Sequence, residues 1–163
     1  MCTILALDQS LKTSGAAVFK DDKLIFHESL SIKADQKIER RLTDMLICLN
    51  ELYHDFVFEK IYFEDIQLQS GNALTYKHLA YVQATILLWC YFNQIPYEIY
   101  TASHWRKVLG GGFGRKREEQ KKHAIDLVKN NYGIEVSSDE ADAICIGLAA
   151  IKERRENQVG FGV

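Results

Sequence analysis

The sequence predicts an α/β fold: a five-stranded mixed sheet of order 3-2-1-4-5, flanked by helices on both faces. Two observations predict it. First, residues 3–30 hold three short apolar runs separated by tight polar turns, the pattern of an antiparallel meander. Second, two further apolar runs each follow a segment of helical periodicity, and such strand–helix–strand units close as right-handed parallel crossovers. That geometry sets the fourth strand beside the first and the fifth beyond it.

The first strand is Thr3-Ile4-Leu5-Ala6-Leu7-Asp8, a continuous apolar run that ends on a carboxylate. Continuous apolar character marks a strand buried on both faces. A charge at its end either faces water or meets a cation, because an unpaired buried charge is costly. Ala16-Ala17-Val18-Phe19 and Leu24 to Leu30 are strands two and three, joined by the turn Lys20-Asp21-Asp22-Lys23. His27 lies in strand three and reads as an ordinary sheet residue. Asp35 to Phe56 is an amphipathic helix, with Ile38, Leu42, Met45, Leu46, Leu49 and Leu52 at helical spacing. Lys60 to Ile66 is strand four, and it too meets carboxylates at its end, Glu64 and Asp65. Asn72 to Asn93 is a long helix, apolar nearly all round from Ala84 to Phe92. Such a helix is wrapped by its own chain or lends one face to a second copy.

Pro96 to Tyr100 is strand five, and Ser103 is placed to cap a short helix containing Trp105, Val108 and Leu109. The run Gly110-Gly111-Gly112-Phe113-Gly114 reads as a mobile loop, without the Lys-Ser/Thr ending of a phosphate-cradling loop. Arg115 to Tyr132 is a basic helix. The last helix opens with Ser137 and Glu140 in capping-box spacing and continues as a core segment to Ile151. Asp139 and Asp142, three apart, project from one of its faces. An Asp in a first helical turn is unremarkable. Asp142 sits among Ala and Ile and is not explained that way.

Composition bounds the function. The chain has 163 residues, 47% of them apolar and 26% charged, with one proline, so residues 1–163 read as a single soluble domain. Net charge is −2, but residues 101–132 carry eight Lys/Arg against three Asp/Glu. That basic segment is a candidate polyanion contact, the alternative being a solvated helix face. Its contact residues would be Arg106, Lys107, Arg115, Lys116, Arg117, Lys121 and Lys122. The four cysteines are scattered without metal or redox spacing, which suits a reducing compartment. No apolar run is long enough for a membrane span and no signal peptide is evident, so a cytoplasmic location is expected.

Asp8, Glu64, Asp139 and Asp142 converge on this topology. Crowded carboxylates raise one another's pKa unless cations neutralise them. All-oxygen ligation suits Mg²⁺ or Mn²⁺, and two such ions would clamp a phosphodiester.

Asp8-x-Ser10-x-x-x-Ser14-Gly15, then Tyr62-Phe63-Glu64-Asp65, then Asp139-x-x-Asp142-Ala143 together resemble the RuvC-type Holliday-junction resolvases, members of the RNase H-like superfamily. The resemblance covers nearly the whole chain in order, and in its brevity looks more like a phage-encoded member than a cellular one. It implies an RNase H-like fold and a homodimer on four-way DNA. It also implies two symmetric nicks made with two Mg²⁺ or Mn²⁺ ions per site, leaving 5′-phosphates. It maps the catalytic, metal-holding carboxylates onto Asp8, Glu64, Asp139 and Asp142, and DNA-contacting lysines near Lys107 and Lys116. Two departures stand out: Ser10 where cellular members have Gly, and Gln67 where many carry an aromatic wedge. Phe113 is the available substitute wedge, unless it packs beneath its loop. Two other readings stay open: a nuclease of RNA–DNA hybrids, and a non-catalytic junction-binding protein. The second gains nothing from four acidic groups facing phosphate.

Overall fold

The computed structural model describes residues 2–31, 37–67 and 72–160. The strands are β1 (Thr3–Asp8), β2 (Thr13–Lys20), β3 (Lys23–Ser31), β4 (Lys60–Glu64) and β5 (Tyr97–Tyr100). They form one sheet in the order β3-β2-β1-β4-β5, as the crossover argument predicts. β1–β2 and β2–β3 pair antiparallel, while β1–β4 and β4–β5 pair parallel. Asp21 and Asp22, at φ 49° and 66°, make the tight turn that joins β2 to β3.

Period-two alternation sorts the strand residues into two cores. Leu5, Leu7, Ala16, Val18, Ile61 and Phe63 face one side. There they meet Met45, Leu49 and Leu52 of α1 (Ile38–Phe56) and Val82, Ile86 and Trp89 of α2 (Ala73–Asn93). Ile4, Ala6, Ala17, Phe19 and Tyr62 face the other side. That side is covered by α5 (Ser138–Gly160), through Ala141, Ile144, Cys145 and Ala149, with α3 (Ala102–Val108) and α4 (Arg117–Tyr132) packed around it. The helix wrapped along its first half is therefore α5. Along its first half Ala141, Ala143, Ile144, Cys145 and Ile146 are wholly buried.

Four expectations need correction or limits. α2 is not wrapped by its own chain: it buries Val82, Ile86, Trp89 and Cys90 but leaves Leu88 58%, Tyr91 77% and Phe92 76% exposed. The cap of α3 is Thr101, whose side chain accepts from the His104 N–H, so Ser103 lies inside the helix. His27 is no bystander, because its Nδ1 lies 2.7 Å from Glu140 Oε1 and ties β3 to the start of α5. The expected start of the first helix at Asp35 lies outside the described residues. The capping box is present: the Ser137 N–H donates to Glu140 Oε2 at 2.9 Å and the Glu140 N–H to Ser137 Oγ at 3.2 Å.

Candidate active site

Asp8 shares the parity of Ile4 and Ala6, and Glu64 that of Tyr62, so both carboxylates leave the sheet on the α5 side. The parallel register Leu7↔Phe63 carries the two strands one residue further to Asp8 and Glu64, which end them side by side. On the other flank Asp8 is paired with Gly15. A Cβ on Gly15 would stand 1.9 Å from the Asp139 carbonyl oxygen. The absent side chain is what lets the N-terminus of α5 sit directly on β2, and so brings Asp139 and Asp142 over Asp8. Beyond Asp8 the chain turns through Ser10, whose Oγ accepts from the N–H groups of Lys12 and Thr13. Ser10 therefore does structural work at the position where a glycine was expected.

The four carboxylates act on one another. Burial pushes the Asp8 carboxyl well above the usual range, and Asp142, Glu64 and Asp139 push it further, against the opposing Arg106 guanidinium. Asp142 is raised to about 7, by burial first and then by Glu64 and Asp139. Glu64 is raised by burial, against a hydrogen bond from Trp105 and the charge of Arg106. Asp139 is raised by burial, against Lys121 and Arg117. Each group would gain from a cation in its midst.

These residues line a cleft of about 710 Å³ that also takes in Gln9, Lys12, Arg41, Gln67, Leu74, Tyr76, Arg106, Arg115, Arg117 and Lys121. Of the seven basic residues expected to meet a polyanion, Arg106, Arg115, Arg117 and Lys121 line it. Lys107, Lys116 and Lys122 are exposed but stand outside the lining. Lys12 and Arg41 join the rim from the acidic first hundred residues, where charge counting gave no hint of them. Gln9 was also unforeseen. It is 8% exposed, its Nε2 donates to the Glu64 carbonyl at 3.1 Å, and its Oε1 is a buried acceptor with no donor among the described residues. Arg106 Nε is likewise a buried donor with no acceptor among the described residues.

Of the two readings of Phe113, the structure agrees with packing beneath the loop and corrects its assignment as a DNA contact. It is 4% exposed, edge-on to Trp105 at 5.2 Å between ring centroids and 4.3 Å from the His123 ring. A ring so enclosed has no face for a base, and the loop aromatic is a core residue. The glycines around it take positive φ, between 71° and 100°, in the bend that turns the ring inward.

The donor set suits a hard cation: five carboxylates line the cleft, Asp65 with the four named, beside a single imidazole, His78, and, among the described residues, no thiolate and one buried oxygen acceptor without a donor, Gln9 Oε1. Among the described residues, however, no three His, Cys, Asp or Glu side chains close into a preformed cage. Mutual repulsion and the hold of Trp105 on Glu64 oppose such a closure without the ion's charge.

The same architecture recurs in solved structures. Thermus thermophilus RuvC in complex with a Holliday junction substrate superposes with a TM-score of 0.78 at 16% identity, over 96% of each chain. The yeast mitochondrial Holliday junction resolvase Ydc2 gives 0.60 at 20% identity, over 97% of this chain and 82% of that one. The fowlpox virus resolvase in complex with its Holliday junction substrate gives 0.56 at 16% identity, over 94% and 98%. Neither a protein-family model nor a curated protein sequence matches the chain. At these identities the likeness establishes the fold, that of the RuvC-like resolvases within the RNase H-like class.

Proposed function

We propose that this chain, built on the RuvC-like fold, is a structure-selective endonuclease that resolves four-way and other branched DNA by hydrolysing phosphodiester bonds. The observation that carries the reading is the convergence of Asp8, Glu64, Asp139 and Asp142 in a cleft rimmed by Lys12, Arg41, Arg106, Arg115, Arg117 and Lys121. Acid at the centre and base at the rim suits a substrate that is a polyanion and a reaction that needs divalent metal at one phosphate. The solved relatives that carry Holliday junction DNA support the same substrate class here.

In this reading Asp8, Glu64, Asp139 and Asp142 would hold two Mg²⁺ or Mn²⁺ ions. Bound there, such ions would polarise the scissile phosphate and lower the pKa of a water for attack, leaving a 5′-phosphate and a 3′-hydroxyl. The chain's own residues do the rest. Arg106, which lines the cleft with its guanidinium over the Trp105 ring at 4.9 Å, sets a positive charge where negative charge develops on a phosphate oxygen. Arg117 and Lys121 stand near Asp139 and neutralise the phosphates that flank the cut. Lys12, Arg41 and Arg115 extend that contact along the backbone without reading sequence. With Phe113 enclosed and Gln67 polar, Tyr76 is the aromatic residue of the lining exposed enough, at 36%, to stack on an unpaired base.

A homodimer completes the proposal. Leu74, Lys77, Tyr81, Ala84, Leu88 and Tyr91 of α2 are all exposed and recur at alternating spacings of three and four. That stripe has the a/d rhythm with which one helix packs on another. A twofold copy seated there would give two matched sites for the two strands of a junction.

The test is a gel assay of a four-way junction, a fork, an RNA–DNA hybrid and a linear duplex, with and without Mg²⁺. Paired symmetric nicks in the junction are expected. Preference for the hybrid would make the chain a hybrid nuclease. Tight junction binding without any cleavage would make it a binding protein.

A further inference from the structure

Trp105 was legible in the sequence only as an apolar residue of a short helix. In the fold it is wholly buried, and its indole Nε1 donates to Glu64 Oε2 at 2.7 Å. A buried indole N–H must find an acceptor, whereas a buried Phe needs none. Here the acceptor is a carboxylate of the acidic cluster. The other oxygen, Glu64 Oε1, receives no protein hydrogen bond among the described residues, and Glu64 lines the cleft.

The indole is itself clamped. The Phe113 ring meets it at an interplanar angle of 89°, and the Arg106 guanidinium lies over it. Phe113 rests in turn on His123 of α4. Helix α3, which carries Trp105, starts directly after β5, whose Tyr100 carbonyl accepts from the Asp65 N–H. The donor and its acceptor are thus mounted on adjoining elements, with little freedom to drift.

We propose that Trp105 is a positioning residue: its N–H fixes one oxygen of Glu64, so that the other is held toward the cation and phosphate. The inference rests on the nuclease reading of the site and adds to it a residue that touches no substrate. Rotation of Glu64 about its side-chain torsions is the motion that the N–H prevents. Misplacement of a metal-holding carboxylate by a fraction of an ångström to 1 Å lowers turnover by roughly ten- to a hundredfold.

The full chain offers an internal control. Trp89 is also buried, at 4% exposed, and its Nε1 donates to Asn50 Oδ1 at 2.8 Å on the opposite side of the sheet. Trp105→Phe and Trp89→Phe make the same chemical change at the two places. Three quantities are read for each: single-turnover junction cleavage, junction affinity in Ca²⁺, and the Mn²⁺ concentration that gives half-maximal thermal stabilisation. Trp105→Phe should slow cleavage by roughly ten- to a hundredfold. It should leave junction affinity within about twofold and shift the Mn²⁺ midpoint upward several-fold. Trp89→Phe should lower melting temperature and move none of the three. If Trp105→Phe changes cleavage and the Mn²⁺ midpoint no more than Trp89→Phe does, the positioning role is wrong. Should the parent chain cut no junction, the nuclease reading fails by itself, and the Mn²⁺ midpoint still decides: unchanged in Trp105→Phe, it overturns the role, and raised, it supports it. If Trp105→Phe does not fold, 3-benzothienylalanine at position 105 keeps the shape, lacks the N–H, and takes the same measurements with the same expectations.

Discussion

Asp142→Asn isolates the electrostatic tension of the site, and its effect on stability can be worked out. In the folded chain the Asp142 carboxyl is raised from 3.8 to about 7, chiefly by burial and by Glu64. Between those values the native state holds a proton that the unfolded state has released. Stability is therefore fully present below about pH 4 and falls as pH rises through 7. The whole difference corresponds to about 4 kcal/mol, taken as an upper bound. In a chain of this size each kcal/mol moves the melting temperature by roughly 2–4 °C. Asn mimics the neutral acid. In EDTA, Asp142→Asn should thus melt roughly 5–15 °C above the parent at pH 8 and close to it at pH 4.5. Added Mg²⁺ should recover much of the gap for the parent and little for the variant. Melting curves from pH 4.5 to 8.5, with EDTA or Mg²⁺, read this out. A parent whose stability in EDTA is flat or rises from pH 5 to 8, with Asp142→Asn melting lower at pH 8, would refute the coupled-carboxylate account. Glu140 acts in the opposite sense. Its pKa is lowered, against the effect of burial, by bonds from the Ser137 N–H and from His27, so its contribution is lost as the pH falls.

Further outcomes follow from the same geometry. Asp8→Asn, Glu64→Gln and Asp139→Asn should each remove Mg²⁺-dependent junction cleavage while leaving binding in mobility-shift assays intact or tighter; Glu140→Gln should keep most activity, because Gln still closes the capping box. Tyr76→Ala should weaken junction binding more than duplex binding, by roughly five- to a hundredfold as for loss of one base stack. Phe113→Ala should instead lower melting temperature, by the few kcal/mol of a buried ring. Arg117→Ala and Lys121→Ala should weaken all DNA forms alike and reduce the salt slope by roughly one unit each. Leu88→Glu in the α2 stripe should convert the dimer to a monomer in sedimentation; a parent chain that is already monomeric on junction DNA would dispose of the dimer.

Much of this protein was legible in local pattern. The continuous apolar runs of β1 and β4 predicted burial on both faces, and each run ended on a carboxylate, Asp8 or Glu64. The crossover rule ordered the strands, and the spacing of Ser137 and Glu140 announced the start of α5. These succeed because period, handedness and capping are set by neighbours in the chain. What the tertiary structure alone decided concerns which available face is covered and by what. Ala84 to Phe92 and the core half of α5 are both apolar nearly all round, yet of the two only the α5 segment is wrapped, its close seat on β2 requiring glycine at two places, Gly15 opposite Asp8 and Gly147 against Phe19. Phe113 in a glycine-rich loop reads either as a wedge or as a ring packed beneath its loop, and only Trp105 and His123, from two other helices, decide for the second by enclosing it. Lys12, Arg41 and Trp105 carry no local mark of the site they serve. Their roles come from elements that meet at the ends of β1 and β4, and a charge or an N–H acquires its partner only when the chain has closed around it.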